Sequence, residues 1–215
     1  VKDDAGVAIA ELKRGHVRVV MVTGDNAHTG AYVCREVGMV EPHRPVVVGE
    51  RVAGGGSRPP TVSWRLLSRA VSRHQGTTVP TTNEAAAVAA ADNDDDDEAS
   101  AATWSFASTT DLLSSPRAMS ECELAVTGDA FDALCESGHI HDRRLLHRIR
   151  LFARMSPSQK VTVVRTVMEG TDGLVTAFAG DGGNDSGALR AAHVGLSVGG
   201  AEASVVAPFC AREGH

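Results

Sequence analysis

A glycine-rich turn over residues 179–187 carries the residue types that are best suited to chemistry in this sequence. The turn follows an apolar run and precedes a helical pattern, and its glycines let the backbone bend sharply and approach a ligand closely. Asp181 and Asp185 are four residues apart in this turn, and Asn184 lies between them. Mg²⁺ binds one or two carboxylates together with phosphate oxygens and water, so the turn predicts a magnesium site for phosphoryl transfer. An ordinary surface loop is the alternative, since Gly and Asp are common turn residues.

A second candidate segment follows the apolar run 19–22, where Thr23, Gly24 and Asp25 stand next to one another. The hydroxyl and the backbone N–H of Thr23 are both able to bind a phosphate oxygen. Gly24 and Asp25 lie where a nucleotide or a hinge contact is within reach. If the apolar run is a strand of a parallel sheet, Thr23 and Asp181 both follow the carboxyl end of a strand, where ligands of such sheets bind.

A third candidate, Lys160, lies in the first turn of a helix whose start is well specified by the sequence. Ser156 and Gln159 form a capping-box pattern around Pro157, which suits the first helical position. A cation in the first turn opposes the helix dipole, and this costs a few tenths of a kcal/mol unless an anion compensates. A bound phosphoryl group would supply that anion, whereas a solvated surface lysine is the alternative interpretation.

The composition is that of a folded domain without an excess of positive charge. Of the 215 residues, 42% are hydrophobic and 22% are charged, and the formal net charge is -6. Carboxylates of the acidic tract 92–98 account for that charge, so nothing indicates binding to nucleic acid or to an anionic membrane surface. The four cysteines lack a C-x-x-C spacing, which favours reduced thiols in a cytosolic domain. The chain begins at Val1 without an initiator Met, and we therefore expect a piece of a longer protein.

Strand-like and helix-like patterns alternate along much of the chain, which predicts an α/β fold with a doubly wound parallel sheet. The parts 1–49 and 121–215 are expected to form this sheet together, with helices on both of its faces. Strands are expected at 16–22, 46–48, 123–126, 151–153, 174–178 and 194–198. The part 50–120 contains glycine and proline clusters, an Ala-rich stretch and the acidic tract, and is predicted to be a long, mostly disordered insertion. One short helix is expected within it, from Trp64 to Val71.

A second Thr-Gly-Asp tripeptide stands at residues 127–129, directly after the strand pattern at 123–126. A tripeptide recurs easily by chance, and Asp129 stands where the N-cap of the next helix is expected. The helix-capping interpretation is therefore favoured over a chemical role for this tripeptide.

The three candidate segments, in this order, resemble the second, third and fourth motifs of the haloacid-dehalogenase superfamily of phosphotransferases. More narrowly, the stretches 23–26, 152–160 and 180–189 resemble the phosphorylation domain of P-type ATPases. The stretches 187–195 and 201–209 are most similar to the fifth class of these ATPases, especially to its polyamine-exporting branch. The resemblance covers both parts of the predicted sheet and excludes the insertion. It implies a haloacid-dehalogenase-like sheet and a site that handles phosphoryl groups.

The resemblance also implies roles for individual residues. The catalytic residues would be Thr23, Lys160, Asp181, Asn184 and Asp185. ATP would contact Thr23, Gly24, Asp25 and Lys160. Mg²⁺ would be held by Asp181, with Asp185 as the second carboxylate of the metal site.

The aspartate that accepts the phosphoryl group is missing from this sequence. In the superfamily it is the first Asp of a D-x-D-x-T or D-K-T-G-T motif, and neither motif occurs in the 215 residues. In P-type ATPases this Asp lies far upstream, beyond an inserted nucleotide-binding domain. The resemblance therefore implies that the chain by itself is inactive. Its partners would be the nucleotide-binding and actuator domains and the membrane helices of the same parent, and a transported small cation, without nucleic acid.

By resemblance, the parent would be a multi-pass protein of an endomembrane, vacuolar or lysosomal membrane, with this chain on the cytosolic side. It would couple ATP hydrolysis, through an aspartyl-phosphate, to the transport of a polyamine or another cation. A soluble Mg²⁺-dependent phosphatase of the same superfamily and a non-catalytic fragment are the two alternatives that the sequence leaves open.

Overall fold

The computed structural model describes residues 4–53, 60–67, 104–171 and 173–211. The helices in these ranges are α1 (Ala5–Arg14), α2 (Ala27–Glu36), α3 (Thr109–Leu113), α4 (Pro116–Glu121), α5 (Gly128–Glu136), α6 (Arg143–Arg148), α7 (Pro157–Gly170) and α8 (Ser186–Ala191). The strands are β1 (Met21–Val22), β2 (Val46–Val52), β3 (Thr61–Leu66), β4 (Glu123–Thr127), β5 (Ile149–Ala153), β6 (Ala177–Ala179), β7 (Val194–Val198) and β8 (Phe209–Ala211). Short 3₁₀ helices lie at His139–His141, Gly183–Asp185 and Glu202–Val205. No helix of the described part is both long enough and apolar enough to cross a membrane.

The larger sheet has five strands in the order β1-β5-β4-β2-β3. Its strand pairs are parallel except for β3, which runs antiparallel to β2. Side chains alternate between the two faces, so that Leu124 and Val126 of β4 lie in one hydrophobic cluster and Ala125 lies in another. Residues of α5, α6 and α7 belong to the first cluster, and residues of α2 belong to the second. Helices therefore cover both faces of this sheet.

The smaller sheet has three parallel strands in the order β6-β7-β8. Phe178 of β6 packs in a third cluster with Val164 of α7 and Leu189 of α8. Val22 of β1 packs against this cluster and also against the first cluster of the larger sheet. The two sheets are thus joined by side-chain packing, while no strand pair among the described residues links them.

The structure confirms the α/β class and corrects the prediction of one parallel sheet. The strands from β6 onwards form their own sheet, and the larger sheet is mixed because β3 is antiparallel. The strand predicted at 16–22 is wrong over most of its length, since among the described residues Met21–Val22 is the part that pairs, with β5. Val17 is 49% exposed, as expected for a residue that precedes an edge strand. The strand predicted at 174–178 begins later, at Ala177.

The predicted disorder is wrong at both ends of the part 50–120. Strand β2 continues to Val52, and β3 pairs along it where a helix around Trp64 was expected. Trp64 is fully buried, and its backbone N–H and carbonyl exchange hydrogen bonds of 2.8 Å with Phe106. A buried indole provides enough apolar contact to order this segment, and its Nε1–H donates to the Thr109 hydroxyl. The stretch 68–103 lies outside the described residues, and the division of the chain into domain parts stays a prediction.

Candidate functional site

The Thr23 turn is fastened to the loop that follows β5. The Thr23 N–H donates to the carbonyl of Phe152 over 2.9 Å, and the Met155 N–H donates to the carbonyl of Thr23 over 2.9 Å. The Arg154 N–H donates to the carbonyl of Asp25 over 2.8 Å. Within the turn, the Thr23 hydroxyl oxygen accepts the N–H of Asp25. These bonds hold the carboxyl ends of β1 and β5 side by side and leave the Asp25 side chain exposed.

The loop after β5 adopts an unusual backbone conformation at its centre. Arg154 has a φ of 54°, in the left-handed region that residues other than glycine rarely adopt. Its carbonyl oxygen would lie 2.6 Å from a Cβ atom at Gly128, so only glycine fits at that position of the second Thr-Gly-Asp. Helix α5 starts at Gly128 with Thr127 as its N-cap, and Asp129 lies in the first turn. The prediction that Asp129 is the N-cap is therefore wrong by two residues.

The start of α7 is fixed by the capping box that the sequence predicted. The Ser156 hydroxyl accepts the Gln159 N–H, and the Gln159 side chain accepts the Ser156 N–H. The amide nitrogen of the same Gln159 side chain donates to the Gly128 carbonyl over 3.0 Å and to the Asp132 carboxylate over 2.8 Å. The first turn of α7, which includes Lys160, is thus tied both to its own N-cap and to α5.

Lys160 is buried, which excludes the interpretation as a solvated surface lysine. It is 5% exposed, and its Nζ donates to Oδ1 of Asp185 over 2.7 Å. Asp185 is 8% exposed, so each buried charge is compensated mainly by the other. The anion that compensates Lys160 within this chain is therefore a carboxylate. An ammonium group has three N–H donors, and this contact uses one of them.

The glycine turn is compact because two polar side chains fold back over it. The Asp185 N–H donates to the carbonyl of Gly182 over 2.9 Å. A Cβ atom at Gly180 would lie 2.7 Å from the carboxyl carbon of Asp185, and one at Gly182 would lie 2.5 Å from Oδ1 of Asn184. Any larger residue at these two positions would displace the side chains that the turn presents. Asn184 itself is exposed.

Glu202 closes the turn from the other side, and the sequence analysis did not identify it. Its carboxylate accepts the N–H of Gly183 over 2.9 Å, and a Cβ atom at Gly183 would lie 2.6 Å from the Glu202 carboxyl carbon. The Ala203 N–H donates to the carbonyl of Asp181 over 3.1 Å. Glu202 belongs to the stretch 201–209 that carries part of the resemblance, but its contact with the turn was not predicted because Glu202 lies 19 residues from Gly183. No local pattern indicates this contact.

The carboxylates of the turn fit a magnesium site with one protein ligand better than one with two. Asp181 is exposed, and its carboxylate makes no hydrogen bond within the described part of the chain. Mg²⁺ accepts a single carboxylate when phosphate oxygens and water complete its shell. Asp185 is engaged through Oδ1 with Lys160, which suits it to support the turn. No group of three or more His, Cys, Asp or Glu side chains converges in the described ranges.

The structure brings some of the predicted site residues together and leaves others apart. Lys160 and Asp185 form a direct ion pair, and Asp185 belongs to the same turn as Asp181 and Asn184. Thr23 is connected to the start of α7 through its backbone bond with Met155. No hydrogen bond in the described ranges links Thr23 to Lys160 or to Asp181. The roles predicted for Gly24 and Asp25 in nucleotide binding stay predictions, as do those of the other site residues.

Comparisons with known proteins identify relatives of the whole chain, although no family model matches it. The chain is 31% identical over 216 residues to "Probable cation-transporting ATPase 13A4" of Homo sapiens, a match that covers 99% of the chain. It is 30% identical over 215 residues to "Polyamine-transporting ATPase 13A3" of Mus musculus, again over 99% of the chain. A protein of Gallus gallus with the same name as the human relative is 30% identical over 213 residues.

The relatives are much longer than this chain. The chain spans 15% of the length of the Gallus gallus protein and 16% of the length of the human and mouse proteins. It is thus similar, along nearly its whole length, to a limited segment of proteins that are named as cation-transporting or polyamine-transporting ATPases.

Proposed function

We propose that this chain is part of the phosphorylation domain of a P-type ATPase of the haloacid-dehalogenase superfamily. In this proposal Asp181, Lys160 and Thr23 act on the phosphoryl group that passes from ATP to an aspartate outside the chain. Two findings support it. The three candidate segments resemble motifs of that domain in residue type and order, and relatives named as ATPases align with 99% of the chain.

The single observation that carries the proposal is the buried ion pair between Lys160 and Asp185. It joins the first turn of α7 to the glycine turn over 2.7 Å, although the two residues are 25 positions apart. A buried pair of this kind fixes both elements, because separating the charges would leave each of them without compensation. The pair therefore holds an ammonium group close to the turn that presents the exposed carboxylate of Asp181.

This arrangement suits phosphoryl transfer, which depends on positioning and on charge neutralisation. Mg²⁺, when bound at Asp181, would withdraw negative charge from the phosphoryl oxygens. Lys160 keeps two N–H donors for those oxygens beyond its bond to Asp185. Thr23 offers a hydroxyl at the carboxyl end of β1, on the turn that the loop before α7 holds in place. Asn184 and Asp185 would orient the turn.

Strands β1 and β6, which precede Thr23 and Asp181, each have an edge on which a further strand of the proposed parent could pair. Among the described residues β1 pairs only with β5, and β6 pairs only with β7. Each strand therefore has one edge whose backbone groups lack a strand partner, and such edges pair readily with a further strand. Val22, which packs against clusters of both sheets, shows that β1 lies close to the smaller sheet. We propose that the phosphorylated aspartate follows a strand that pairs with these edges.

The parent would transport a small cation, and a polyamine is the candidate that the name of the mouse relative supports. ATP and Mg²⁺ would be its cofactors. Its nucleotide-binding and actuator domains and its membrane helices would be the partners of this chain, which would lie on the cytosolic side of an endomembrane. Hydrolysis of ATP through the aspartyl-phosphate would drive the transport.

The proposal is tested by ATP hydrolysis in the intact parent protein, with Asp129→Asn as the matched control for Asp181→Asn. Both residues are exposed aspartates that follow the carboxyl end of a strand, and both changes remove the same charge. We expect Asp181→Asn to abolish Mg²⁺-dependent hydrolysis, because the metal loses its carboxylate, and Asp129→Asn to retain it. Hydrolysis at the unmodified rate in Asp181→Asn would refute the assignment of the metal site.

A further inference from the structure

The opposite end of the larger sheet is where β4 and β5 begin and the chain enters β1. An open cavity of about 440 Å³ is found there. Its wall includes the six basic side chains of Lys13, His16, Arg18, Arg44, His147 and Arg150. The carboxylates in the same wall belong to Glu41 and Glu123. Basic groups therefore outnumber acidic groups in the cavity, although the net charge of the whole chain is -6.

Glu123 neutralises only part of this positive charge. It is 4% exposed, and it accepts Arg44 Nη1 over 2.7 Å and Arg150 Nε over 3.1 Å. One buried carboxylate thus orients two guanidinium groups. The terminal nitrogens of Arg150 make no hydrogen bond within the described ranges, so they remain available to a ligand.

Arg18 contributes a guanidinium group that is only partly satisfied. Its Nη2 donates to the carbonyls of Leu146 and Ile149 over 2.7 Å and 2.6 Å, near the end of α6. Its Nε is buried and has no hydrogen-bond partner among the described residues. Burial and then the positive charge of Arg150 lower the pKa of Arg18 to about 10, even though Glu123 raises it. An anion bound in the cavity would counteract both the burial of the Arg18 charge and its repulsion by Arg150.

His147 experiences the same positive charge. Partial burial lowers the pKa of His147, and the charges of Arg18, Arg143 and Arg150 lower it further. Arg18 and Arg150, two of these three arginines, line the cavity together with His147. A purely structural role for Arg18, as a cap at the end of α6, is the alternative. It accounts for the two hydrogen bonds of Nη2 but not for the other basic side chains around the cavity.

We propose that this cavity binds a phosphate monoester through Lys13, Arg18 and Arg150, at a site separate from the one that contains Asp181. A phosphate monoester carries close to two negative charges on three oxygens, and guanidinium groups bind such oxygens in pairs. The volume lies within the range of about 300–1,000 Å³ that is usual for small-ligand sites. The cavity lies at the amino ends of β4 and β5, whereas Thr23 and Asp181 follow the carboxyl ends of β1 and β6. The ester is a soluble molecule or a lipid headgroup.

The test is a titration of the full chain with glycerol 3-phosphate. Binding is measured from the NMR signals of the His16 and His147 rings. Both signals are expected to shift with saturation. Lys13→Glu should weaken binding by about tenfold or more, because an attractive charge becomes a repulsive one. Arg14→Glu is the matched control: it makes the same charge change on the neighbouring residue, which does not line the cavity, and should change binding less than about twofold. Arg150→Gln should weaken binding in the same way as Lys13→Glu, but it also removes a partner of Glu123.

Sedimentation with phosphatidylcholine vesicles that contain phosphatidic acid, against vesicles of phosphatidylcholine alone, distinguishes the two sources of the ester. Glycerol 3-phosphate binding that Lys13→Glu weakens supports a soluble ligand. Vesicle binding that Lys13→Glu weakens, without binding of glycerol 3-phosphate, supports a lipid headgroup. The proposal is overturned if neither probe binds, or if Arg14→Glu weakens binding as much as Lys13→Glu does. The side chain of Lys13 is exposed and its Nζ donates to the carbonyl of Gly38 over 2.9 Å, so equal urea midpoints for Lys13→Glu and Arg14→Glu exclude a folding defect as the cause.

Discussion

The two sheets differ in how completely their apolar side chains are covered. In the larger sheet Leu124, Val126 and Phe152 are at most 1% exposed, and helices pack on both faces. In the smaller sheet Phe178 is buried, but Leu196 and Phe209 are 42% and 57% exposed. The larger sheet therefore has a complete hydrophobic core, whereas the smaller sheet depends on a few contacts with α7, α8 and β1.

This difference indicates that the larger sheet provides most of the stability, whereas the candidate site uses the less completely packed region. Residues such as Phe131 and Phe152, whose rings meet edge to face, stabilise the larger sheet. The candidate site lies where the two sheets meet, and the Lys160–Asp185 pair is one of the contacts that join them. Sites that change their contacts during a reaction are drawn from the less stable parts of a structure.

The largest expected effect is on global stability, and it compares one phenylalanine from each sheet. Phe152→Ala should lower the free energy of unfolding by about 3–5 kcal/mol, because it leaves a cavity in a closely packed core. Phe209→Ala should lower it by less than about 0.5 kcal/mol, since the exposed ring loses little contact. Urea denaturation of both variants measures the difference. Equal losses would show that the two sheets are covered to the same degree.

The next effect concerns the ion pair between Lys160 and Asp185, which connects α7 to the glycine turn. Lys160→Met should lower the free energy of unfolding by about 3 kcal/mol, because Asp185 would remain buried without its partner. Adding Asp185→Leu should recover much of that loss, since no uncompensated charge is then left. A double-mutant cycle in urea gives the coupling energy of the two residues. Strictly additive losses would mean that the pair does not hold the sheets together.

The smallest effect is chemical and compares cysteines that pack against the larger sheet with the cysteine of β8. Burial raises the pKa of Cys34 and of Cys122, each to about 11, and the thiolate is the reactive form. Cys210 lies in β8 and is exposed. Alkylation by iodoacetamide near neutral pH should therefore modify Cys210 first, and modification of Cys34 and Cys122 should wait for unfolding or for pH values that approach 11. Mass spectrometry identifies the modified residues, and early labelling of Cys122 would contradict the buried core.

Local sequence patterns predicted the parts of the site that depend on local chemistry. The capping box at Ser156 and Gln159 formed as predicted, because its bonds join residues three positions apart. A helix, α8, follows the glycine turn as expected, and the α/β class followed from the alternation of patterns. These features need only neighbouring residues and the periodicity of side chains.

Long-range contacts were not predictable in the same way. Burial of Trp64 depends on pairing with Phe106 and β2, and the surrounding composition suggested disorder instead. The division into two sheets depends on which strands lie side by side, and local patterns do not specify strand neighbours. The pairing of Lys160 with Asp185 likewise arises only once α7 packs against the glycine turn. The sequence therefore identified both residues without predicting their contact.

The most direct measurement is single-turnover phosphorylation from ATP, and the subsequent dephosphorylation, in the intact parent protein with saturating Mg²⁺. Lys160→Ala should lower the rate by about 10²-fold or more, because a fixed charge contact to the phosphoryl group is lost. Thr23→Ala should cost less, since it loses a neutral hydrogen bond and keeps the backbone N–H. Arg165→Ala, a change of an exposed cation on the same helix as Lys160, serves as the control. Rates of Lys160→Ala equal to those of the unmodified protein in both half-reactions would contradict the proposed site.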